Sequence, residues 1–407
     1  MSSPSTSEIY LDNAATSFPK PPHVEQALID YARHIGASAG RGAYPRAVRS
    51  GEILEETRQL LAQLFNISTP RRIIFTLNAS DALNLAIKGI DWQRGDSAIV
   101  STMEHNSVLR PLNALKRKWG IRVIKIPANA EGWVNPEDYA RAIEPSAKLI
   151  ALVHASNVSG TIQSIAQVGA LARAKGIPFL VDAAQTAGAL PIDVEAMKID
   201  LLAFPGHKAL MGPLGTGALY IREGIDLEPL REGGTGSISE HEVQPDFLPD
   251  KYEPGSHNAL GLAGLKAGLE FILQLSHSST SGESSKTKSG VEMIRAHEEA
   301  LITQFIHETK SIEGLTLYGP VEAARRVAVI AVRLEGYAPL DLSQILFSSA
   351  GLMTRSGLHC APGAHQAIGT FPVGATRFSF GYFTTKEQLH TAVLALKAVR
   401  SRLVAHR

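Results

Sequence analysis

Short apolar runs alternate with helix-type patterns between about residues 71 and 222. Seven of these runs have the length and composition of buried strands, at residues 73–75, 98–100, 123–126, 149–153, 179–181, 201–203 and 218–221. Between two of them, Ile165, Val168 and Ala172 recur at the spacing of a helix. This alternation predicts an α/β fold with a mostly parallel sheet that is covered by helices on both faces.

Polar side chains follow several of these predicted strands. His105, Asn157, Asp182 and Lys208 each come just after an apolar run. Ligands of open α/β sheets bind beyond the carboxyl ends of the strands. We therefore expect one pocket to collect these four residues.

The rest of the chain predicts a second, smaller α/β unit. Residues 260–273 have the pattern of a long apolar-faced helix, and residues 327–332 have that of a strand. A chain of 407 residues exceeds one ordinary hydrophobic core. We therefore predict a large domain at residues 20–270 and a smaller domain that combines residues 1–19 with residues 271–407.

Composition and charge exclude several classes of function. The 40 basic and 39 acidic residues leave a net charge of +1, so the sequence carries no electrostatic footprint for nucleic acid or a membrane surface. No run approaches the roughly 18 uncharged apolar residues of a transmembrane helix. The single cysteine permits no intrachain disulfide and, with an N-terminus that lacks a signal-peptide core, predicts a cytoplasmic protein. The serine-rich residues 276–286 predict a flexible surface loop, with a phosphorylated regulatory tract as the alternative.

Lys208 and Asp182 together indicate a particular cofactor. Most lysines are solvated surface charges, but Lys208 and Asp182 each follow an apolar run closely. A lysine forms a Schiff base with pyridoxal 5′-phosphate (PLP), and an acidic side chain keeps the pyridine nitrogen of PLP protonated. The placement of the pair favours a PLP site over a solvated surface lysine.

Short motifs are spread along the chain. They are Asp-Asn-Ala-Ala-Thr at 12–16, Asn-Ala-Ser-Asp-Ala at 78–82, Glu-His-Asn at 104–106, His-Ala-Ser-Asn at 154–157, Asp-Ala-Ala-Gln at 182–185, Gly-His-Lys at 206–208, Arg-Ser-Gly-Leu-His-Cys-Ala at 355–361 and Arg-Phe-Ser at 377–379. Their order and spacing resembles the class V, fold-type I PLP enzymes and, within them, the cysteine desulfurases of the short-loop, selenocysteine-lyase-like branch. The resemblance implies a homodimer in which a large domain with a mostly parallel sheet precedes a smaller C-terminal α/β domain.

The resemblance assigns four residues to the cofactor ring. It implies that Lys208 carries PLP, that Asp182 contacts the pyridine nitrogen, and that Gln185 donates a hydrogen bond to the phenolic oxygen. Without the lysine, a glutamine three residues after an aspartate would indicate a turn or a helix cap. His105 is implied to stack on the ring and to move protons, whereas a lone histidine is more often a structural hydrogen-bonding residue. The histidines of these motifs lack the paired spacing of a metal site, so no metal is predicted.

The phosphate of PLP is expected at the start of a helix. The resemblance implies that Ala79, Ser80 and His207 contact it, and backbone amides at a strand-to-helix turn favour an anion. Ser80 taken alone would indicate a helix N-cap. The family often has a phosphate-contacting serine where this chain has Pro205, so phosphate binding must depend on the other groups.

A partner subunit is implied to complete the phosphate site. The matching residues are Gly255 and Ser256, in the segment Glu-Pro-Gly-Ser-His-Asn at 253–258. The local alternative is a turn before the helix that starts near Leu260, with Ser256 or Asn258 as its cap. Both interpretations can hold at once.

Two arginines and two asparagines are implied to bind the substrate. Arg377 lies in an apolar strand-like run, where a guanidinium group needs an anionic partner. It resembles the arginine that grips the substrate α-carboxylate with two parallel hydrogen bonds. The resemblance also implies that Asn13 and Asn157 orient the amino acid and that Arg355 lies near it.

Cys360 distinguishes between activities. A lone cysteine is usually inert core filling, but Cys360 lies beside His359 in a segment with the composition of a loop. The resemblance implies that its thiolate attacks the substrate sulfur. This reaction converts L-cysteine to L-alanine and leaves a persulfide on Cys360 for an acceptor protein. The alternatives are a selenocysteine lyase, an aminotransferase-like class V enzyme, or a non-catalytic PLP-binding or sulfur-carrier protein.

Overall fold

The structure is a computed structural model, which describes residues 8–40, 42–275 and 289–405. Within these ranges the backbone forms thirteen strands: β1 (Ile9–Tyr10), β2 (Ile73–Thr76), β3 (Ser97–Ser101), β4 (Arg122–Ile126), β5 (Ala147–Val153), β6 (Phe179–Asp182), β7 (Leu201–Pro205), β8 (Gly217–Ile221), β9 (Leu315–Tyr318), β10 (Val329–Leu334), β11 (Leu352–Met353), β12 (Arg355–Gly357) and β13 (Ala375–Ser379). The same ranges contain eleven α-helices: α1 (Pro22–Asp30), α2 (Pro45–Phe65), α3 (Ala79–Lys88), α4 (Asn106–Trp119), α5 (Pro136–Ala142), α6 (Ile165–Ala174), α7 (Ala259–Leu275), α8 (Gly290–Thr309), α9 (Pro339–Ala350), α10 (Pro362–Ala367) and α11 (Lys386–Ala405). The serine-rich segment predicted as a loop at 276–286 lies outside the described residues.

The seven strands predicted from apolar runs form one sheet in the order β2-β8-β7-β6-β5-β3-β4. Neighbouring strands from β7 to β4 run parallel, whereas β8 pairs antiparallel with β7 and with β2. Side chains alternate between the two faces, so Phe179 and Val181 of β6 pack into one core and Leu180 packs into the other. Burial on both faces explains why these strands are continuously apolar. The predicted α/β class with a mostly parallel sheet is confirmed.

A glycine in α7 sets the position of the loop that follows β7. Gly268 lies so close to this loop that a Cβ atom built on it would be 2.6 Å from the carbonyl oxygen of Leu210. Only a residue without a side chain permits this approach. The helix therefore packs directly against the backbone just beyond Lys208.

A second sheet lies in the C-terminal part of the chain. It has four antiparallel strands in the order β12-β13-β10-β9, and apolar side chains of α8, α9 and α11 complete its core. The N-terminal strand β1 pairs in parallel with β11, so Ile9 and Leu11 belong to this core. The start of the chain thus packs with its C-terminal part, and the predicted domain limits stay a prediction.

Candidate active site

A cavity opens at the carboxyl ends of β5, β6 and β7. Eleven of the predicted site residues line it: Ala79, Ser80, His105, Asn157, Asp182, Gln185, His207, Lys208, Arg355, Cys360 and Arg377. Asn13 and Ser256 instead line two other depressions. The polar residues that follow β3, β5, β6 and β7 therefore meet in one place, as the strand-end pattern predicts.

Lys208 and Asp182 lie on the cavity wall at neighbouring strand ends. Burial lowers the pKa of the Lys208 amine to about 8, although the carboxylate of Asp182 opposes the shift. The neutral, nucleophilic amine that a Schiff base requires is therefore well populated in mildly alkaline solution. Asp182 accepts a hydrogen bond from the backbone N–H of Ala184 at 2.9 Å, and burial raises the pKa of its carboxyl group.

Three side chains near the start of the chain donate hydrogen bonds to the backbone of the loop that follows β7 and contains Lys208. Thr16 Oγ1 and Lys20 Nζ donate to the carbonyl oxygen of His207 at 2.9 and 2.7 Å. Ser17 Oγ donates to the carbonyl oxygen of Lys208 at 2.8 Å. We call Thr16, Ser17 and Lys20 the N-terminal clamp. It was not predicted, because donors to a backbone carbonyl far along the chain leave no local sequence pattern.

His105 caps α4 with its own ring. Its Nδ1 accepts the backbone N–H of Ser107 at 3.1 Å, so Nδ1 carries a lone pair and the proton of the neutral ring is on Nε2. Two effects lower the pKa of His105 to about 4: burial, which is the larger, and the positive charge of Lys208. The ring is therefore neutral at pH 7 and able to accept a proton.

The first turn of α3 lines the cavity through Asn78, Ala79 and Ser80. Asn78 caps this helix by accepting a hydrogen bond from the backbone N–H of Asp81 at 2.9 Å, so the interpretation of Ser80 as the N-cap is wrong. The first N–H groups of a helix have no intrahelical partner, and Ser80 Oγ lies 2.6 Å from Ser107 Oγ. Nδ1 of His207 is buried without a hydrogen-bond partner in the described part of the chain. A buried polar nitrogen without a partner is costly, and in the tautomer with the proton on Nδ1 it would donate to a phosphate group here.

Pro205 and Gln185 complete the cofactor predictions. Pro205 ends β7 opposite Gly217 and has no N–H to donate, so the predicted phosphate contacts of the α3 turn and His207 stay a prediction. The Nε2 of Gln185 donates to the carbonyl oxygen of Ala14 at 3.0 Å. An amide nitrogen has two N–H groups, so a second one exists for the predicted ring contact.

Arg377 and Arg355 share one carboxylate. In the buried strand β13, Arg377 donates to Asp12 Oδ1 at 2.8 Å and to the carbonyl oxygen of Asn157 at 3.1 Å. Arg355 donates to Asp12 Oδ2 through Nε at 2.9 Å and through Nη2 at 2.8 Å. An anionic partner for Arg377 is therefore present within the chain, and it is Asp12. The predicted contact of Arg377 with the substrate carboxylate stays a prediction.

The two asparagines occupy different positions. Asn157 lines the cavity, and its Nδ2 donates to the carbonyl oxygen of His359 at 2.7 Å. Asn13 uses Nδ2 to donate to the carbonyl oxygen of Ser379 at 3.1 Å, and its Oδ1 accepts from the backbone N–H of Phe18 at 3.2 Å. Asn13 therefore fixes the N-terminal segment on β13, and its predicted contact with the substrate stays a prediction.

Cys360 lies in a tightly held loop. His359 and Cys360 both adopt positive φ angles, of 48° and 57°, in a region that non-glycine residues enter at a cost in free energy. The carbonyl oxygen of Cys360 accepts the backbone N–H of Asn106 at 2.8 Å. The His359 ring is 3.3 Å from Nε2 of His365, whose Nδ1 is 2.6 Å from Thr370 Oγ1. The backbone is thus fixed while the cysteine remains exposed.

Gly255 and Ser256 line a depression apart from the cavity, together with Asn258. Gly255 has a φ of 90°, which suits a turn. The Oδ1 of Asn258 accepts from the backbone N–H of Gly261 at 3.0 Å. Asn258 therefore caps α7, as the local interpretation of this segment predicts.

Two further observations concern the class of protein. None of the helices in residues 8–40, 42–275 and 289–405 is long and apolar enough to span a membrane. Across the same residues, no group of three or more His, Cys, Asp or Glu side chains is placed to hold a metal ion.

Comparison with known proteins identifies the family. The family model "Aminotransferase class-V" matches residues 9–391, so the chain belongs to the class V aminotransferase family. A probable cysteine desulfurase of Methanothermobacter thermautotrophicus is 34% identical over 387 residues, which cover 94% of this chain and 92% of the relative. A cysteine desulfurase of Shigella sonnei is 30% identical over 97% of this chain and 94% of the relative. Within the class V family, the chain belongs with the cysteine desulfurases, as predicted.

Solved structures agree with this assignment. The apo structure of a cysteine desulfurase from Thermococcus onnurineus NA1 matches with a TM-score of 0.88 and 31% identity, over 97% of this chain and 95% of that chain. The cysteine desulfurase CsdA from Escherichia coli matches with a TM-score of 0.82 and 27% identity, over 97% of this chain and 94% of that chain. The predicted fold class, that of the fold-type I PLP enzymes, is confirmed.

Proposed function

We propose that this protein is a PLP-dependent cysteine desulfurase, which converts L-cysteine to L-alanine and holds the sulfur as a persulfide on Cys360. One observation carries the proposal: Lys208, from the loop after β7, and Cys360, from the loop after β12, line the same cavity. A cysteine that only filled a core would be buried, whereas Cys360 is exposed on the wall of a cavity that also holds a lysine of lowered pKa.

The residues of the cavity fit PLP as the cofactor. Lys208 would hold it covalently, with Asp182 at the pyridine nitrogen and Gln185 at the phenolic oxygen. The unpaired Nδ1 of His207 and the first turn of α3 would hold the phosphate, and His105 would lie against the ring. When bound, PLP withdraws electrons from the substrate Cα and so acidifies the proton there.

Lys208 and His105 are nitrogen bases on the wall of this cavity. Lys208, with a pKa of about 8, and His105, with a pKa of about 4, can each accept a proton in mildly alkaline solution. Arg377 provides the cation for the α-carboxylate of the substrate. The chain therefore supplies both the grip on the amino acid and the groups that move its Cα proton.

Cys360 supplies the sulfur acceptor. Its thiolate would attack the sulfur of the bound L-cysteine, so that a sulfur–sulfur bond forms and the bond between that sulfur and Cβ breaks. The electron pair of the broken bond stays with the carbon fragment, which takes up protons and leaves as L-alanine. The net reaction is L-cysteine plus the Cys360 thiol to L-alanine plus the Cys360 persulfide. The exposed position of Cys360 supports onward transfer to an acceptor protein.

Product analysis tests the proposal. Purified protein loaded with PLP should release alanine and sulfide from L-cysteine in equal amounts when a thiol reductant removes the persulfide. The matched control is the same protein without PLP. A keto acid as product would favour an aminotransferase, and alanine from selenocysteine alone would favour a selenocysteine lyase. Bound PLP without any product would favour a carrier protein.

The protein is also proposed to be a cytoplasmic homodimer. Gly255 and Ser256 line a depression away from their own cavity, so they are available to a partner subunit's phosphate site. Light scattering should give about twice the chain mass of 43.6 kDa. A Ser256→Ala variant should remain a dimer but retain PLP less tightly. A stable, PLP-saturated monomer would contradict the dimer.

A further inference from the structure

Asp12 is a buried carboxylate to which the sequence assigns no role. Its two oxygens accept from both arginines of the site: Oδ1 accepts from Arg377 at 2.8 Å, and Arg355 donates to Oδ2 at 2.9 Å and more weakly to Oδ1 at 3.3 Å. Only 12% of the Asp12 side chain is exposed. The two arginines, and not Asp12, line the cavity. Asp12 therefore acts on the site through the arginines.

The backbone places this carboxylate firmly. The strand β1, just before Asp12, pairs with β11. Asp12 itself bridges to Ser379 at the end of β13, and the Tyr10 hydroxyl donates to the Asp12 carbonyl oxygen at 3.2 Å. Both arginine strands, β12 and β13, lie in the sheet to which this segment is attached. The contact is thus part of the fold rather than a chance surface ion pair.

Asp12, Arg355 and Arg377 form a charged cluster with one net positive charge, which is available to a ligand. Two guanidinium groups and one carboxylate sum to +1, because arginine keeps its proton near neutral pH. Arg377 is only 3% exposed, and its Nε is buried with no hydrogen-bond partner in the part of the chain that the structure describes. A buried N–H of this kind requires an acceptor. The uncompensated charge therefore suits one carboxylate, bound at Arg377.

Arg355 lies directly opposite Arg377 in the antiparallel pair of β12 and β13. Its side chain is 53% exposed, and it lies on β12, in the same short segment as Cys360. Arg377, Cys360 and Arg355 all line the same cavity, so a substrate whose α-carboxylate binds Arg377 and whose sulfur approaches Cys360 would lie within reach of Arg355. A guanidinium group without a partner at this position would attract a side-chain carboxylate.

We infer that Asp12 is a specificity-determining residue. By pairing with Arg355, Asp12 withholds the cation that would bind an acidic side chain, and so it favours amino acids whose side chain is uncharged. The inference rests on the proposed function, because it places the substrate between Arg377 and Cys360.

Equilibrium binding of two amino acids to the PLP-loaded protein tests this role. L-alanine carries one carboxylate and L-aspartate carries two, and neither contains sulfur. The wild type should bind L-alanine more tightly. In Asp12→Asn, the ratio of the two dissociation constants should shift toward L-aspartate by at least about 10-fold. Asp12→Glu keeps the charge and should stay within about 3-fold of the wild type, as should the exposed control Glu8→Gln.

A second variant keeps the test decisive if Asp12→Asn does not fold. In Arg355→Gln, Asp12 would neutralise Arg377 alone, so L-alanine should bind at least about 10-fold more weakly than to the wild type. An unchanged ratio in a folded, PLP-loaded Asp12→Asn, or unchanged L-alanine binding in Arg355→Gln, would overturn the inference. These measurements need no sulfur chemistry. If the ratio of dissociation constants shifts as expected but the wild type releases no sulfide from L-cysteine, the role of Asp12 stands and the desulfurase proposal is wrong.

Discussion

The Cys360→Ser variant should release no sulfide from L-cysteine, a loss of at least about 10³-fold relative to the wild type. A serine hydroxyl is too weak a nucleophile at neutral pH without a positioned base. Binding of PLP and of L-alanine should persist, because those contacts belong to Lys208, Arg377 and their neighbours. Sulfide release and the absorbance of bound PLP measure the two effects separately.

The single cysteine of the chain makes this test unambiguous. After treatment with L-cysteine, intact-protein mass spectrometry should find one added sulfur atom on the wild type and none on the variant. Ser356→Ala, on β12 in the same segment, is the matched control and should retain the added sulfur. Sulfide release by Cys360→Ser at the wild-type rate would make Cys360 a packing residue and end the desulfurase proposal.

The Lys208→Ala variant should lose both covalent PLP and turnover, again by at least about 10³-fold. The amine of Lys208 is the proposed attachment point and a base for the Cα proton, so its removal takes away two functions at once. Reduction with borohydride, followed by peptide mass spectrometry, should locate PLP on the peptide with His207 and Lys208 in the wild type. The variant should carry none.

Lys20 provides a stringent control for that experiment. It is the lysine of the N-terminal clamp, and burial lowers the pKa of its amine to about 8, as for Lys208. Its Nζ is occupied by the carbonyl oxygen of His207 and by Ser17 Oγ. A Lys20→Gln variant should still yield PLP trapped on Lys208. PLP trapped on the Lys20 peptide of the wild type would show that Lys20, and not Lys208, binds the cofactor covalently.

Much of the fold and of the cavity could be predicted from local sequence. A parallel sheet buried on both faces requires continuous apolar strands, and those runs are visible in the sequence. The carboxyl ends of such strands share one edge, so Asp182 and Lys208 could be placed together without any structure. The positions of polar residues could be predicted where those residues come directly after a strand.

The remaining features depend on contacts between distant parts of the chain. Asp12 pairs with Arg377 across 365 positions, and no local pattern reveals which carboxylate an arginine will meet. The N-terminal clamp escaped prediction for the same reason. At the start of α3, Ser80 taken alone indicated the N-cap, whereas the backbone geometry places Asn78 there, two residues earlier.

The pairing of Asp12 with Arg377 also has a consequence for the synthesis of this protein. Chains emerge from the ribosome N-terminus first, and contacts between distant segments form late because their loop-closure entropy must be overcome. The segment around Asp12 meets β13 only after synthesis has passed Ser379. A nascent chain that already contains Lys208 therefore still lacks the arginine cluster and Cys360. Sulfur chemistry can begin only after synthesis has passed Arg377.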